Sequence, residues 1–425
     1  MKLEKSIIVL SLALGLIRFP LTPILLTQDV FVAYSANLYL IQIVVALSTL
    51  GLPELAHDWL SSSKNQGPSA LLRETPIAPL FILSSFVSLA TVFLLVCLVP
   101  SLLPYTRGRF ISFAISLIAI LSVLQLVLAA IQRHSSSRIA YFLPQLLRSG
   151  FFIVLLLCNR NLSLESLLAY ELLFLLIALV LSLLISFPVS LRELLSSFSP
   201  SGCYRSLQRL PFASQSFRSM LKGIHLSSYS SSLTAAFAAN IDKLAASSIL
   251  PPDLFYQVAT MLVPSNLASA LTSQLIQVKA KALINIPKVT SLSFSGYLLY
   301  VIPQLQLWPL MLLAVPILFS IVGYLHFPSS GLGHSSRFPP DVVLASFIYS
   351  LTSVSLIVNM CLYVYRKHSF VLLDGFLAIV SGLLFLSVVH YTSNIALSAL
   401  IFSVVRIFSS FSLSVYVSRS QASFS

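Results

Sequence analysis

Charge is scarce in this chain. Asp, Glu, Lys and Arg make up 9% of its 425 residues, whereas 57% are hydrophobic, too little polar surface for a soluble fold of this length. Acids are the scarcer sign, 12 against 25 Lys and Arg. Cysteine is also rare: Cys97, Cys158, Cys203 and Cys361 lie far apart without C-x-x-C spacing, which argues against a disulfide framework and a metal site. The nucleotide-binding pattern G-x-x-x-x-G-K-[ST] does not occur, and nothing in the sequence calls for a cofactor. The longest predicted outer loop, about 325 to 341, holds Asp341, His326 and His334 but no paired carboxylates. That argues against a catalytic role.

What the chain has in abundance is long apolar runs. Mean hydropathy is +0.95, and the runs are about 19 to 27 residues long, enough to cross a hydrocarbon core of roughly 30 Å at about 1.5 Å per residue. Twelve spans are predicted: Ser6 to Leu26, Val30 to Leu52, Ile77 to Val99, Phe110 to Ile131, Ile139 to Cys158, Ser166 to Phe187, Ile224 to Leu250, Leu254 to Ile276, Leu307 to Leu325, Val342 to Val364, Phe370 to Val389 and Ile395 to Val417. The expected fold class is therefore an all-α polytopic membrane protein.

Charge placement sets the orientation. With both termini cytoplasmic, seventeen Lys and Arg fall in inner segments and four in outer loops, as the positive-inside bias requires. A thirteenth span at 289–302 would move Arg366, Lys367 and Arg419 outside, so that apolar stretch is read as interfacial. The net charge of +13 is thus spread over short inner loops rather than gathered in one patch, which speaks against nucleic acid. The N-terminal run lacks a small-x-small cleavage site and continues through Pro20 and Pro23, so it is expected to be retained as the first span.

The Ser-rich basic segment 188–223 divides the chain into a six-helix half at 1–187 and another at 224–425, expected to surround a central cavity. A faint repeat supports the division. Arg18 precedes Asp29 by eleven residues at the first outer turn, and Asp242 precedes Asp253 by eleven at the corresponding turn of the second half. Such a repeat would be parallel, about an axis along the membrane normal.

Four cations stand alone inside spans: Arg18, Arg148, Lys243 and Arg406. An ionisable group at mid-bilayer costs roughly 2.5 to 3.5 kcal/mol or more, so such residues face a protein interior or a wet cavity. Structural ties to backbone carbonyls or to Glu171 are one reading, and a cation-lined cavity for an anionic ligand is the other. Asp242 adjoins Lys243, but adjacent helical positions diverge by about 100°, so each needs its own neighbour. Asp242 pairs with a cation such as Arg18 or Arg148, or serves as a proton or sodium site. Asp374, near the inner end of its span, is expected to be an interfacial anchor.

Asn240-Ile241-Asp242-Lys243 followed by a short turn and Tyr256, Ile321-Val322-Gly323-Tyr324 before an outer loop, and twelve spans split by a basic loop together resemble the Wzx-type polysaccharide and O-antigen flippases. These are members of the multidrug/oligosaccharidyl-lipid/polysaccharide exporter superfamily. The resemblance implies a multi-pass protein of the bacterial cytoplasmic (inner) membrane that moves a polyprenyl-pyrophosphate-linked oligosaccharide to the outer leaflet by alternating access. Arg18, Arg148, Lys243 and Arg406 would then hold the anionic pyrophosphate, with Asp242 and Glu171 as charge partners or H+ or Na+ coupling groups, and surrounding membrane lipids accommodating the tail. Alternatives within the superfamily are a multidrug or a peptidoglycan-precursor transporter. A membrane-embedded sugar polymerase or glycosyltransferase is the alternative outside it.

Overall fold

A computed structural model describes residues 2–53, 77–98, 108–132, 139–159, 162–186, 225–283, 294–304, 340–364 and 368–422, with 105, 201 and 204 as isolated positions. Among these residues the structure is helical and contains no strand. The first half comprises α1 (Lys2–Leu25), α2 (Gln28–Ser48), α3 (Ile77–Leu98), α4 (Arg109–Gln132), α5 (Ile139–Cys158) and α6 (Leu164–Ser186). The second comprises α7 (His225–Ile249), α8 (Pro252–Leu283), α9 (Phe294–Gln304), α10 (Pro340–Ser350), α11 (Val354–Val364), α12 (His368–Thr392) and α13 (Ile395–Ala422). Eleven of the twelve predicted spans coincide with described helices, and the ninth, Leu307 to Leu325, lies outside the described residues.

Short turns with local caps separate the antiparallel neighbours. Ser163 accepts from the amide of Ser166 at 3.2 Å to open α6, and Asn394 Oδ1 accepts from the amide of Leu397 at 2.9 Å to open α13. Each satisfies an amide that the first helical turn leaves unpaired. Proline at the first position of α8 loses no hydrogen bond there. Asp29 and Asp253 sit in the first turns of α2 and α8, where a negative charge is favoured by the helix dipole.

The predicted span 342–364 is broken into α10 and α11 by a 3-10 turn at Leu351–Ser353. Its cause is local. Ser350 donates to the carbonyl of Ser346, Thr352 to Tyr349, Ser353 to Ser350 and Ser355 to Thr352, each at 2.7 Å. Hydroxyls that return to the preceding turn compete with the main-chain ladder and tighten it.

The chain forms two compact units, one of Met1–Arg18 with Ala33–Ala236 and one of Phe19–Val32 with Phe237–Ser425. Helices α1, α2 and α7 each contribute to both. In the first unit α6 packs against α4 and α5, and α3 against α4. In the second, α8, α10, α12 and α13 form the main packing, with α9 against α13. The stretch read as interfacial is thus partly an integrated helix. Phe294, Tyr297 and Val301, at helical spacing on α9, are completely buried in a cluster with Ile357, Cys361 and Leu413. Elsewhere large apolar side chains are exposed, Phe86, Phe93, Phe376 and Phe408 among them. Such a surface belongs in lipid.

Candidate functional site

The first unit gathers two of the stranded cations around one acid. Arg18 projects from α1, Tyr34 from α2, Arg148 and Phe152 from α5 and Glu171 from α6. The carboxylate of Glu171 is fully engaged: Oε1 accepts from Arg18 and, at 2.6 Å, from the Tyr34 hydroxyl, while Oε2 accepts from Arg148 Nε at 2.5 Å. Arg18 also donates to the Tyr34 oxygen at 3.0 Å. Its guanidinium carbon lies 4.1 Å from the centre of the Phe152 ring, a cation–π contact, and that ring stacks on Tyr34 at 5.8 Å.

Helix spacing explains the assembly. Arg148 and Phe152 are four residues apart and so share one face of α5. Leu14 and Arg18 share a face of α1 in the same way. Gly150, on another side of α5, allows close approach to α1, because a Cβ there would lie 3.3 Å from Leu14 Cδ1. Small residues commonly allow such close passage of helices in a bilayer.

The charge balance of this cluster is its most informative property. Among the described residues two guanidiniums meet one carboxylate, a balance of one positive charge. Glu171 is only 1% exposed, whereas the Arg148 side chain is 28% exposed. Arg148 reaches Glu171 through Nε alone, and among the described residues no partner is placed on its two Nη groups. Those groups form the outer prongs of a planar fork suited to two oxygens of a phosphate.

The second unit holds its charges differently. Arg406 on α13 grips Asp374 on α12 with both prongs, Nη1 to Oδ1 and Nη2 to Oδ2, each at 2.6 Å. Ser410 adds a 3.2 Å bond to Oδ1. Asp374 is entirely buried and Arg406 is nearly so. The sequence reading of Asp374 as an interfacial anchor is therefore corrected: it neutralises Arg406 within the packed helices, because a guanidinium at that depth requires a full counter-charge.

Asp242 and Lys243 are both buried on α7. Lys243 Nζ donates to the carbonyl of Ala239 at 2.5 Å, one turn back. Asp242 lies against Gly382 of α12, where an added Cβ would stand 2.8 Å from Asp242 Cβ, and its Oδ1 has no hydrogen-bond partner. Among the described residues the acid placed on both Arg18 and Arg148 is Glu171. Tyr34, Phe152 and Gly382 carried no charge signal and were not singled out from sequence. Phe152 was within reach of such an argument, four residues from Arg148.

One more arrangement is built from the turn between α1 and α2 and the turn between α7 and α8. Gln28 Nε2 donates to Asp253 Oδ1 at 2.6 Å, Phe31 meets Tyr256 edge to face at 5.6 Å, and the Tyr256 hydroxyl is 3.5 Å from the Pro23 carbonyl. Residues 19–32 and the start of α8 are thus clasped inside the second unit. Among the described residues no three His, Cys, Asp or Glu side chains are grouped to hold a metal ion.

No family model matches the sequence, and no curated protein matches it. Solved structures do. The lipid II flippase MurJ, in an inward closed conformation, aligns with a TM-score of 0.62 at 12% identity, over 97% of this chain and 87% of the MurJ chain. A MATE transporter in complex with Br-NRF aligns with a TM-score of 0.51 at 14% identity, over 97% of this chain and 96% of its own. At these identities the likeness concerns the fold alone, an all-α membrane architecture.

Proposed function

We propose that the protein is a flippase for a lipid-linked oligosaccharide, taking its anionic pyrophosphate linker at Arg148 and Arg18 and moving the headgroup between leaflets by alternating access. One observation supports the reading: among the described residues Arg18 and Arg148 share the single carboxylate of Glu171, and none of those residues is placed on the Nη groups of Arg148. An organic cation would meet repulsion there, which disfavours the multidrug alternative suggested by the MATE fold. Lysine 243 is the second candidate contact. Arg406, already neutralised by Asp374, is a weaker one. Both termini and the segment 188–223 face the cytoplasm in this reading, between six-helix halves at 1–187 and 224–425. Asp242, buried with one oxygen unbonded, is the group best suited to take up a coupling proton or sodium ion. Transport of a peptidoglycan lipid precursor is the second reading, favoured by the likeness to the lipid II flippase.

The test is reconstitution of the full-length protein in vesicles containing a fluorescent polyprenyl-pyrophosphate disaccharide, with transfer read as gain of protection from an impermeant quencher. Losing the Arg148 fork removes charge-assisted bonds worth about 1.5 to 3 kcal/mol, so Arg148→Ala should slow transfer by roughly 10- to 100-fold. Arg148→Lys should recover only part, because it restores charge without the fork. Undiminished transfer by a folded Arg148→Ala protein would refute the site. Transfer of a fluorescent organic cation but of no lipid-linked sugar would refute the substrate class.

A further inference from the structure

The second unit contains an apolar groove that the transport reading does not use. It has a volume of about 470 Å³ and is formed by α9, α11 and α13. Phe294 and Leu298 supply one wall, Val358 another, and Phe411 and Val415 the third, with Arg419 at one end. The groove opens on the apolar exterior, because Leu299 and Phe411, both in its lining, are two-thirds exposed.

Its dimensions select the occupant. The lining residues on α13 run from Ile407 to Arg419, twelve residues or about 18 Å along the axis. One leaflet of hydrocarbon is about 15 Å deep, half of a roughly 30 Å core. A single extended hydrocarbon chain lying between α9, α11 and α13 matches that length.

Charge then identifies the headgroup. Arg419 is exposed in the last turn of α13, on the side that the distribution of Lys and Arg assigns to the cytoplasm. Among the described residues no acid is placed on it. Cytoplasmic leaflets carry anionic lipids, and basic positions between helices on that side attract their phosphates. We propose that this groove binds one acyl chain of an anionic phospholipid of the inner leaflet, whose phosphate is held by Arg419. The occupant is a resident of the bilayer rather than the cargo, since the Arg18–Glu171–Arg148 cluster of the first unit is a separate site.

The experiment uses full-length protein in phosphatidylcholine vesicles containing a trace of phosphatidylglycerol with a photoactivatable acyl chain, or the matching phosphatidylcholine probe. Cross-linked peptides are mapped by mass spectrometry. Phosphatidylglycerol should label 294–304 and 407–419 at least fivefold above other lipid-facing helices. Arg419→Glu, at an exposed position that folding tolerates, should lower this to the phosphatidylcholine level, and Val415→Trp should block the slot. Equal labelling by both lipids, or labelling indifferent to both substitutions, would overturn the site. Complete displacement of the probe by polyprenyl phosphate, with no displacement by unlabelled phosphatidylglycerol, would overturn the phospholipid assignment while leaving the flippase reading untouched.

Discussion

Replacing Asp374 by Asn should destabilise the protein far more than an exposed substitution. The carboxylate accepts two guanidinium bonds at 2.6 Å and one from Ser410. An amide keeps one oxygen and turns an NH2 toward the cation. Arg406 would retain one bond to the remaining side-chain oxygen and its 3.3 Å bond to the main-chain carbonyl of residue 374, leaving a nearly buried positive charge without a counter-charge. Breaking one side of a buried pair costs about 3 to 5 kcal/mol, whereas removing both charges in favour of apolar side chains is close to neutral. Asp374→Leu with Arg406→Met should therefore lie within about 1 kcal/mol of the parent although each single substitution costs about 3 to 5 kcal/mol, a coupling of at least about 5 kcal/mol in a double-mutant cycle. Denaturant titration in detergent micelles, followed by circular dichroism, measures all four proteins. The reasoning fails if Asp374→Asn is within about 1 kcal/mol of the parent, or if the double variant is no more stable than the single ones. The same double variant should also transport normally. Loss of transfer in a stable protein would show that Arg406 serves the cargo after all.

Gly382→Ala should cost about 1 to 3 kcal/mol through overpacking, because its Cβ would fall 2.8 Å from Asp242 Cβ; an unchanged melting temperature would contradict that packing. Cysteines replacing Gln28 and Asp253, joined by a short thiol cross-linker, should arrest transfer until the bridge is cleaved, and continued transfer by fully cross-linked protein would show that the clasp need not open. Single cysteines placed in 188–223 should resist an impermeant thiol reagent in intact cells, and ready labelling would reverse the orientation.

The helices were legible because length and apolarity decide them in a bilayer, with little dependence on tertiary context. Their charged contacts were legible only in part. Glu171 was a recognisable partner for Arg18 and Arg148, since few acids lie within the spans of the first half. Asp374 was not recognised as the partner of Arg406. Counting back from the turn at Ser393 sets Asp374 level with Leu413, about two turns from Arg406, whereas in the structure it bonds both Ser410 and Arg406. Gly382 was silent because the closeness of two helices is a property of their crossing, not of either sequence. The break at 351–353 was hidden for a different reason: serine and threonine leave an apolar run recognisable as a span while altering which carbonyls their hydroxyls occupy.

That break has a mechanical side. Within hydrocarbon, an exposed carbonyl is what normally makes bending a helix expensive. Between α10 and α11 the hydroxyls of Ser350, Thr352, Ser353 and Ser355 already serve carbonyls of the preceding turn. A bend at this point would therefore leave those carbonyls hydrogen-bonded in a medium that supplies no water. Alanine at these four positions would make the span more apolar while stripping it of those bonds.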